Sequence, residues 1–479
     1  MFKLPRIPHV FALLTLVTAV AAIATWIVPS GQYRRETRTI EGRERTVVVP
    51  GTFVALPKDY SLKGALLGGE APEGRALPAS LLGFLTAIPR GLEQSADIVF
   101  FIFVIGGTFG ILQRTGTIPA AIRALLDRFG HSAPLLTVLI MLAIAVGGST
   151  LGMGEEFIPL VPVFMVISSR LGYDRIYGLA LVLLAADIGF ASATTNPFTV
   201  NIAQGIAELP LNSGIGLRLA FFVVAMTTTI AYVLRYGARI RANPAASLMH
   251  GDAEPMPEDT LDAHAFTGRH RLTLVLCGAI FAAILWGVQA LGWWLNDMAG
   301  GFFLMGIVAA VACRLPVADT MKAYVKGLED MVVAALVVGF ARAITVVLND
   351  GRVMDTLIHS AATVLTGAST YVAAQGMFVF QSTLNVLIAS GSGQAAVTMP
   401  LMAPLADVLG LTRQTAVLAF QFGDGLSNAV IPTSGVLMAM LALAKIPYST
   451  WLRFALPLVL LLSGIAAVFL VVAVAIGYR

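Results

Sequence analysis

Gly425-Leu426-Ser427-Asn428-Ala429-Val430-Ile431-Pro432-Thr433-Ser434 interrupts an otherwise apolar run over 411–445. Proline removes a donor and disfavours helix before it, while Gly, Ser and Asn tolerate non-helical backbone, so carbonyls and amides are freed inside a hydrophobic segment. A second interruption, Ser192-Ala193-Thr194-Thr195-Asn196-Pro197, breaks the run 175–208. The two are related by a shift that recurs along the chain. Gly91-Leu92-Glu93 returns as Gly327-Leu328-Glu329, Gly172 as Gly410, Asp187 as Asp424, and Leu209-Pro210 as Ile446-Pro447, always displaced by 235 to 238 residues. Two copies of one unit, each with an interrupted hydrophobic segment, are the sequence pattern of a secondary transporter whose site lies between the copies.

Composition agrees. Of 479 residues 57% are hydrophobic and 12% charged, a balance suited to lipid rather than water. The net charge of +4 points to no nucleic-acid partner, because the basic residues sit in loops, where they set membrane topology. Cys277 and Cys313 lie in hydrophobic stretches without metal-ligand spacing and read as small apolar residues.

Crossings of a ~30 Å core are predicted at 8–28, 95–113, 175–208 with a break, 215–236, 271–293, 299–313, 330–349, 411–445 with a break, and 451–477. That makes nine in an all-α polytopic membrane protein. The first follows Lys3 and Arg6 and is long enough to be an uncleaved span rather than a signal peptide. Residues 133–170 form two short apolar arms around Gly148-Ser149-Thr150-Leu151-Gly152-Met153-Gly154-Glu155-Glu156, read as a re-entrant hairpin with a protein-shielded tip. Its counterpart over 370–409 carries the tip Ser390-Gly391-Ser392-Gly393-Gln394, although its first arm, Tyr371 to Ala389, is itself long enough to span.

With the N-terminus in the cytoplasm, seventeen of the thirty-one basic residues fall in inner segments and the short outer loops are almost bare of Lys and Arg. The halves 1–236 and 271–479 are then an inverted repeat, joined by a cytoplasmic linker over 237–270 that contains Asn243-Pro244 and Glu254-Pro255-Met256-Pro257. The polar segment 29–80 reads as a solvated external cap with a short strand at Thr46-Val47-Val48-Val49; a binding lid is the alternative. Segments 117–129 and 316–328 read as interfacial helices linking a fixed scaffold to a moving unit.

A charge in hydrocarbon costs at least ~2.5–3.5 kcal/mol, so each intramembrane ionisable group demands a reason. The candidates are Glu155, Glu156, Asp187, Arg342 and Asp424. Asp187 and Asp424 precede the two breaks at matched distances. They bind coupling cations or a substrate ammonium, exchange protons, or brace the broken helices. Freed carbonyls suit Na⁺, with Asp187, Asn196, Asp424 and Asn428 as candidate ligands, and half-helix N-termini suit a carboxylate. Ser149, Thr150, Ser192, Thr194, Asn196, Ser392, Gln394, Ser427, Asn428, Thr433 and Ser434 complete the candidate binding set; a proline kink satisfied by local hydroxyls is the competing reading. Glu155 and Glu156 belong to the first hairpin alone and suit a cationic group. Arg342 meets a substrate carboxylate, neutralises an acid, or snorkels to the surface. His9, His131, His264, His270 and His359 fall near loops or ends and receive no role.

Pro29-Ser30-Gly31-Gln32-Tyr33, Met153-Gly154-Glu155-Glu156, Asn196-Pro197-Phe198, the run Ser390 to Pro400, Phe420-Gln421-Phe422-Gly423-Asp424-Gly425 and Pro432-Thr433-Ser434-Gly435 resemble the YfcC-like family of proposed basic amino acid antiporters. That family stands in the C4-dicarboxylate anaerobic carrier group of the ion transporter superfamily. The resemblance spans essentially the whole chain. It implies a bacterial inner-membrane homodimer with a scaffold domain and a transport domain that moves between faces, the tips and breaks closing on the cargo. Thr195 stands where the family pattern has a larger apolar residue.

The expectation is therefore an elevator-type secondary carrier of a small amino acid, driven by ion coupling or exchange. Four intramembrane acids against one arginine favour a basic one, yet the same acids could serve the coupling ions of a C4-dicarboxylate carrier. No cofactor is expected beyond Na⁺ or H⁺ as coupling ion, and no Walker loop is present to power transport directly. A membrane-embedded enzyme using Asp187 and Asp424 would want a nucleophile and base or a metal set, and neither stands out. A channel is the third reading.

Overall fold

The computed structural model describes residues 10–40, 43–130, 132–251, 266–388 and 390–479. Lys3, Arg6, His9, His131, His264, Ala389 and the linker stretch Glu254-Pro255-Met256-Pro257 lie outside the described residues.

Apolar runs fold as helix here because a helix satisfies its own backbone where no water can. The chain opens with α1 (Val10–Ile27), then strands β1 (Ser30–Gln32), β2 (Arg35–Ile40), β3 (Arg43–Val48) and β4 (Val54–Leu56), and the short α2 (Leu62–Leu67). There follow α3 (Leu81–Gln94), α4 (Ala96–Arg114), α5 (Thr117–Phe129), α6 (Ala133–Leu151), a 3-10 turn at Glu155–Leu160, α7 (Val161–Arg170), α8 (Arg175–Ser192), α9 (Val200–Ile206) and α10 (Ile215–Ala242). Two helices, α11 (Gly268–Ala290) and α12 (Leu295–Ala312), precede a second passage of the same order. It comprises α13 (Val317–Asp330), α14 (Val332–Asp350), α15 (Met354–Leu365), α16 (Thr370–Asn385), α17 (Gly391–Val408), α18 (Arg413–Ser427), α19 (Gly435–Ala444) and α20 (Tyr448–Ala475). Even the caps correspond: Asp174 accepts from the Tyr177 N–H to start α8, and Thr412 from the Thr415 N–H to start α18.

Packing divides the helices into two bundles. α1, α3, α4, α11, α12, α13 and α14 form one, with α3 against α14 and α13 against α4. α6 to α10 and α16 to α20 form the other, with α8 and α18 in contact at its centre and α6, α7, α16 and α17 around them. α8 and α18 are buried along nearly their whole length. The bundles meet where α14 touches α19 and α4 touches the 3-10 turn.

Nine helical stretches among the described residues are long and apolar enough to cross a membrane. The number matches the expected one, but the membership does not. α6, expected to be too short, runs nineteen residues through Gly148 and Ser149 and stops where Gly152 turns to φ +66°. The run 411–445 instead divides into α18 and α19, and neither is among the nine. In the second hairpin the arm expected to be long, α16, ends at Asn385 after sixteen residues.

The polar segment 29–80 is not merely solvated. β1 pairs with β4 and β2 with β3, both antiparallel. Tyr33, Ile40, Val47 and Val48 are buried, β3 lies on α17, and β2 lies on α9. Ser30 donates to the Gly351 carbonyl at 2.7 Å and the Gly31 N–H to the Arg352 carbonyl at 2.9 Å, so the cap is fastened to the turn after α14 as well.

Candidate functional site

A cavity of about 220 Å³ lies at the seam between the bundles. One wall is α14 and α4, contributing Val338, Ala341, Arg342, Thr345, Ser95 and Ile98. The other is made by both tips and both breaks: Gly152 to Glu156, Ser390 to Ser392, Phe198 and Thr199, and Asn428 with Thr433 to Val436. Asp187 and Phe190 of α8 and Trp294 before α12 complete it. Four stretches far apart in sequence thus converge on one space.

The breaks have a definite construction. α8 ends at Ser192, Ala193 adopts φ +34°, and helix resumes at Val200. Arg218 of α10, 1% exposed, reaches in with Nε to the Ala193 carbonyl at 2.9 Å and Nη2 to the Thr194 carbonyl at 3.1 Å. The second break begins at Asn428, later than the sequence suggests, since Gly425, Leu426 and Ser427 are helical. Here the Trp451 indole donates to the Ala429 carbonyl at 2.9 Å and the Tyr448 hydroxyl to the Val430 carbonyl at 2.5 Å. Four carbonyls freed by the breaks therefore each accept a hydrogen bond, because a buried carbonyl left unpaired is costly.

The end of α6 fastens the first break, and the end of α16 the second. Ser149 lies 3.0 Å from the Thr194 hydroxyl and accepts from the Thr194 N–H at 3.1 Å, while Thr195 donates to the Thr150 carbonyl at 3.1 Å. Asn385 donates to the Asp424 carbonyl at 2.7 Å, the Ser427 hydroxyl at 2.8 Å and the Asn428 side-chain oxygen at 2.8 Å.

Of the residues singled out from sequence, Glu155, Glu156, Asp187, Arg342, Ser392, Asn428, Thr433 and Ser434 line the cavity. Ser149, Thr150 and Thr194 are engaged in the joints just described, and Ser192 and Ser427 donate to carbonyls one turn back, at Ile188 and Gly423. Gln394 donates to Gln381 at 2.7 Å, and Asn196 closes its own turn by accepting from the Phe198 N–H at 2.8 Å. Asp424 lies just behind the wall: a methyl on Gly391 would sit 2.8 Å from its Oδ2 and 2.6 Å from Thr199 Cγ2.

The model of the C4-dicarboxylate anaerobic carriers, DcuC, matches residues 7–475. The chain belongs to the DcuC family. It is 34% identical to "Putative basic amino acid antiporter YfcC" of Escherichia coli, over 98% of this chain and 97% of that one. An uncharacterized Haemophilus influenzae protein is 29% identical over the same shares. The solved transporter YdaH of Alcanivorax borkumensis aligns over 98% of this chain and 99% of its own at 16% identity and a TM-score of 0.46, a likeness too low to carry a fold assignment. Family membership and the nine apolar helices make the chain an integral membrane protein of a transporter family.

In this DcuC-family chain the site keeps buried polar atoms without a partner. Both carboxylate oxygens of Asp424 are unpartnered, as are Asp187 Oδ2, Thr199 Oγ1, Thr433 Oγ1, Asn385 Oδ1 and Arg342 Nε. Buried polar groups normally find partners, so a cluster of vacant oxygens beside a cavity marks where a ligand completes the set. Arg218, Asn385 and Trp451 were not legible as the residues that hold the breaks, since each reaches its break from another helix, and Thr199, two residues past Pro197, is not among the sequence candidates although it stands beside the first break.

Proposed function

We propose that this DcuC-family chain is a secondary active transporter of a basic amino acid, working by ion-coupled transport or exchange. The carrying observation is the charge set of the cavity, in which Arg342 from one bundle shares about 220 Å³ with Glu155, Glu156 and Asp187 from the other. A basic amino acid brings one carboxylate, suited to a guanidinium fork, and two cationic groups, suited to the acids. The name of the Escherichia coli relative points the same way. A C4-dicarboxylate, named in the family description, brings two carboxylates and meets one cavity arginine.

The seam supports an elevator motion: one bundle carries both tips and both breaks, and the other sets Val338 and Ala341 of α14 against them. In this reading the halves 1–236 and 271–479 are inverted repeats about the linker 237–270, the hairpins are re-entrant, and the scaffold bundle forms a homodimer. The protein sits in the bacterial inner membrane with its N-terminus in the cytoplasm, as the loop arginines favour. The coupling cation belongs beside Asp424, among vacant oxygens.

The test is thermal unfolding of the purified protein with arginine, ornithine, lysine and C4-dicarboxylates, each with and without Na⁺, since a ligand of the folded state raises the melting temperature. Stabilisation by the basic amino acids is expected, followed by saturable exchange in proteoliposomes. Stabilisation by dicarboxylates alone would replace this substrate class with the other.

A further inference from the structure

The two breaks are built alike but charged differently. In both, adjacent carbonyls at corresponding positions, Ala193 and Thr194, Ala429 and Val430, are held by the first turn of the following long helix. In the first half the donor is the Arg218 guanidinium; in the second the donors are an indole and a phenol, both neutral. Arg218's other hydrogen bonds go to the Ser213 carbonyl at 2.8 Å and the Tyr478 hydroxyl at 3.3 Å, so among the described residues no carboxylate bonds to it. A permanent positive charge is thereby buried at the first break.

The second break has the opposite imbalance. Asp424 is 1% exposed and neither carboxylate oxygen has a partner. The start of α17 at Gly391 lends it a partial positive charge, but no N–H reaches either oxygen. The other vacant atoms at or against this break, Thr199 Oγ1, Thr433 Oγ1 and Asn385 Oδ1, are oxygens. The first half also keeps vacant oxygens, Asp187 Oδ2 and Asn201 Oδ1, but at the break itself Asn196 turns its oxygen to the Phe198 N–H and leaves Nδ2, a donor, vacant beside the Arg218-held carbonyls. A donor beside a fixed cation repels a metal ion, whereas one carboxylate among neutral oxygens matches a hard monovalent cation in charge and ligand type.

We propose that Arg218 is the built-in cation of the first half, and that the carrier binds one exchangeable monovalent cation, at Asp424, rather than one at each break. The inference rests on the reading of the chain as an ion-coupled carrier. It assigns Arg218 a positioning role: it fixes the first break and makes a second coupling ion unnecessary.

The experiment measures Na⁺ binding to the full-length protein by thermal unfolding in a Na⁺ series with choline replacement, alongside ²²Na⁺ counterflow per lysine in proteoliposomes. Wild type is expected to follow a single-site curve with a Hill coefficient of about one, and D424N to lose the response. Trp451→Arg, which supplies the second half with a fixed charge, is expected to lose the Na⁺ response while still being stabilised by lysine. Arg218→Gln keeps amide donors without charge and is expected to steepen the Na⁺ curve. A wild-type Hill coefficient near two, or an undiminished Na⁺ response in folded Trp451→Arg, overturns the proposal, and the wild-type measurement decides even where variants do not fold. Absence of any Na⁺ effect with lysine stabilisation intact also overturns it and leaves the substrate reading standing; absence of lysine stabilisation and exchange removes the substrate reading separately.

Discussion

Arg35 grips Asp355 through two hydrogen bonds, Nη1 to Oδ2 at 3.0 Å and Nη2 to Oδ1 at 2.7 Å, and so ties the strands of segment 29–80 to the first turn of α15. Asp355 also accepts from the Tyr33 N–H at 2.8 Å and is buried, whereas the Arg35 side chain is 40% exposed. The two ends of the pair should therefore differ in cost. Removing the carboxylate in Asp355→Ala strands three donor atoms and is expected to cost about 1–3 kcal/mol. Arg35→Ala, at a solvent-screened position, is expected to cost at most about 1 kcal/mol. Thermal unfolding of both variants in detergent checks the order; equal losses would count against the cap being anchored through Asp355.

Tyr33 gives the same anchor a pH signature. Burial, and then the Asp355 charge beside it, push its phenol up to about 12, from roughly 10 in an unfolded chain. Below about pH 10 the group is protonated in both states and its contribution is intact. Between there and its folded value, only the unfolded state releases the proton, so stability falls as pH rises. Tyr33→Phe should flatten that fall, read as the change in melting temperature from about pH 9 to about pH 11. An identical fall in wild type and variant would remove Tyr33 as its source.

Two close helix contacts, of α3 with α14 and of α13 with α4, are built on glycine. A methyl on Gly91 of α3 would lie 2.3 Å from the Gly339 carbonyl oxygen on α14, and a methyl on Gly327 of α13 would lie 2.1 Å from the Gly106 carbonyl oxygen on α4. Backbone cannot yield as a side chain tip can, so Gly91→Ala and Gly327→Ala are each expected to cost about 1–3 kcal/mol. Gly216, with no heavy atom within 4 Å of a built Cβ, is the control, and its alanine variant should be neutral or slightly stabilising. Equal stability of all three variants would show that the α3–α14 and α13–α4 contacts can spread freely.

What the sequence disclosed was local. Proline after Ser, Thr and Asn announces a broken helix because those residues constrain or free the backbone where they stand, and both breaks occur close to Pro197 and Pro432. Gly425 was misread on the same logic. It is helical because a methyl there would lie 2.3 Å from Ala191 Cα, so its glycine serves the contact of α18 with α8 and not the break. Arg218 was invisible for the complementary reason. In sequence it is a charge just inside one end of a span, and only the fold carries its guanidinium to Ala193 and Thr194. Counting four intramembrane acids against one arginine therefore understated the buried positive charge. The cap shows a third limit, since the burial of Val47 and Val48 depends on α17, which lies over 340 residues further along the chain.

Arg342 is the cavity group whose role a single substitution can isolate. It projects from α14, on the bundle opposite the acids, and its Nε has no partner, so a substrate carboxylate is the group it lacks. Loss of a charge-assisted hydrogen bond is worth about 1.5–3 kcal/mol, which is roughly ten- to hundredfold in dissociation constant. Arg342→Gln is accordingly expected to weaken lysine binding by that factor. Cadaverine, which is lysine without its carboxylate, makes no use of the guanidinium and is repelled by its charge, so its affinity should hold or rise in the variant. Competition of both ligands against labelled lysine in wild type and variant gives the comparison directly. Parallel losses for the two ligands would mean that Arg342 supports the cavity wall without reading the carboxylate.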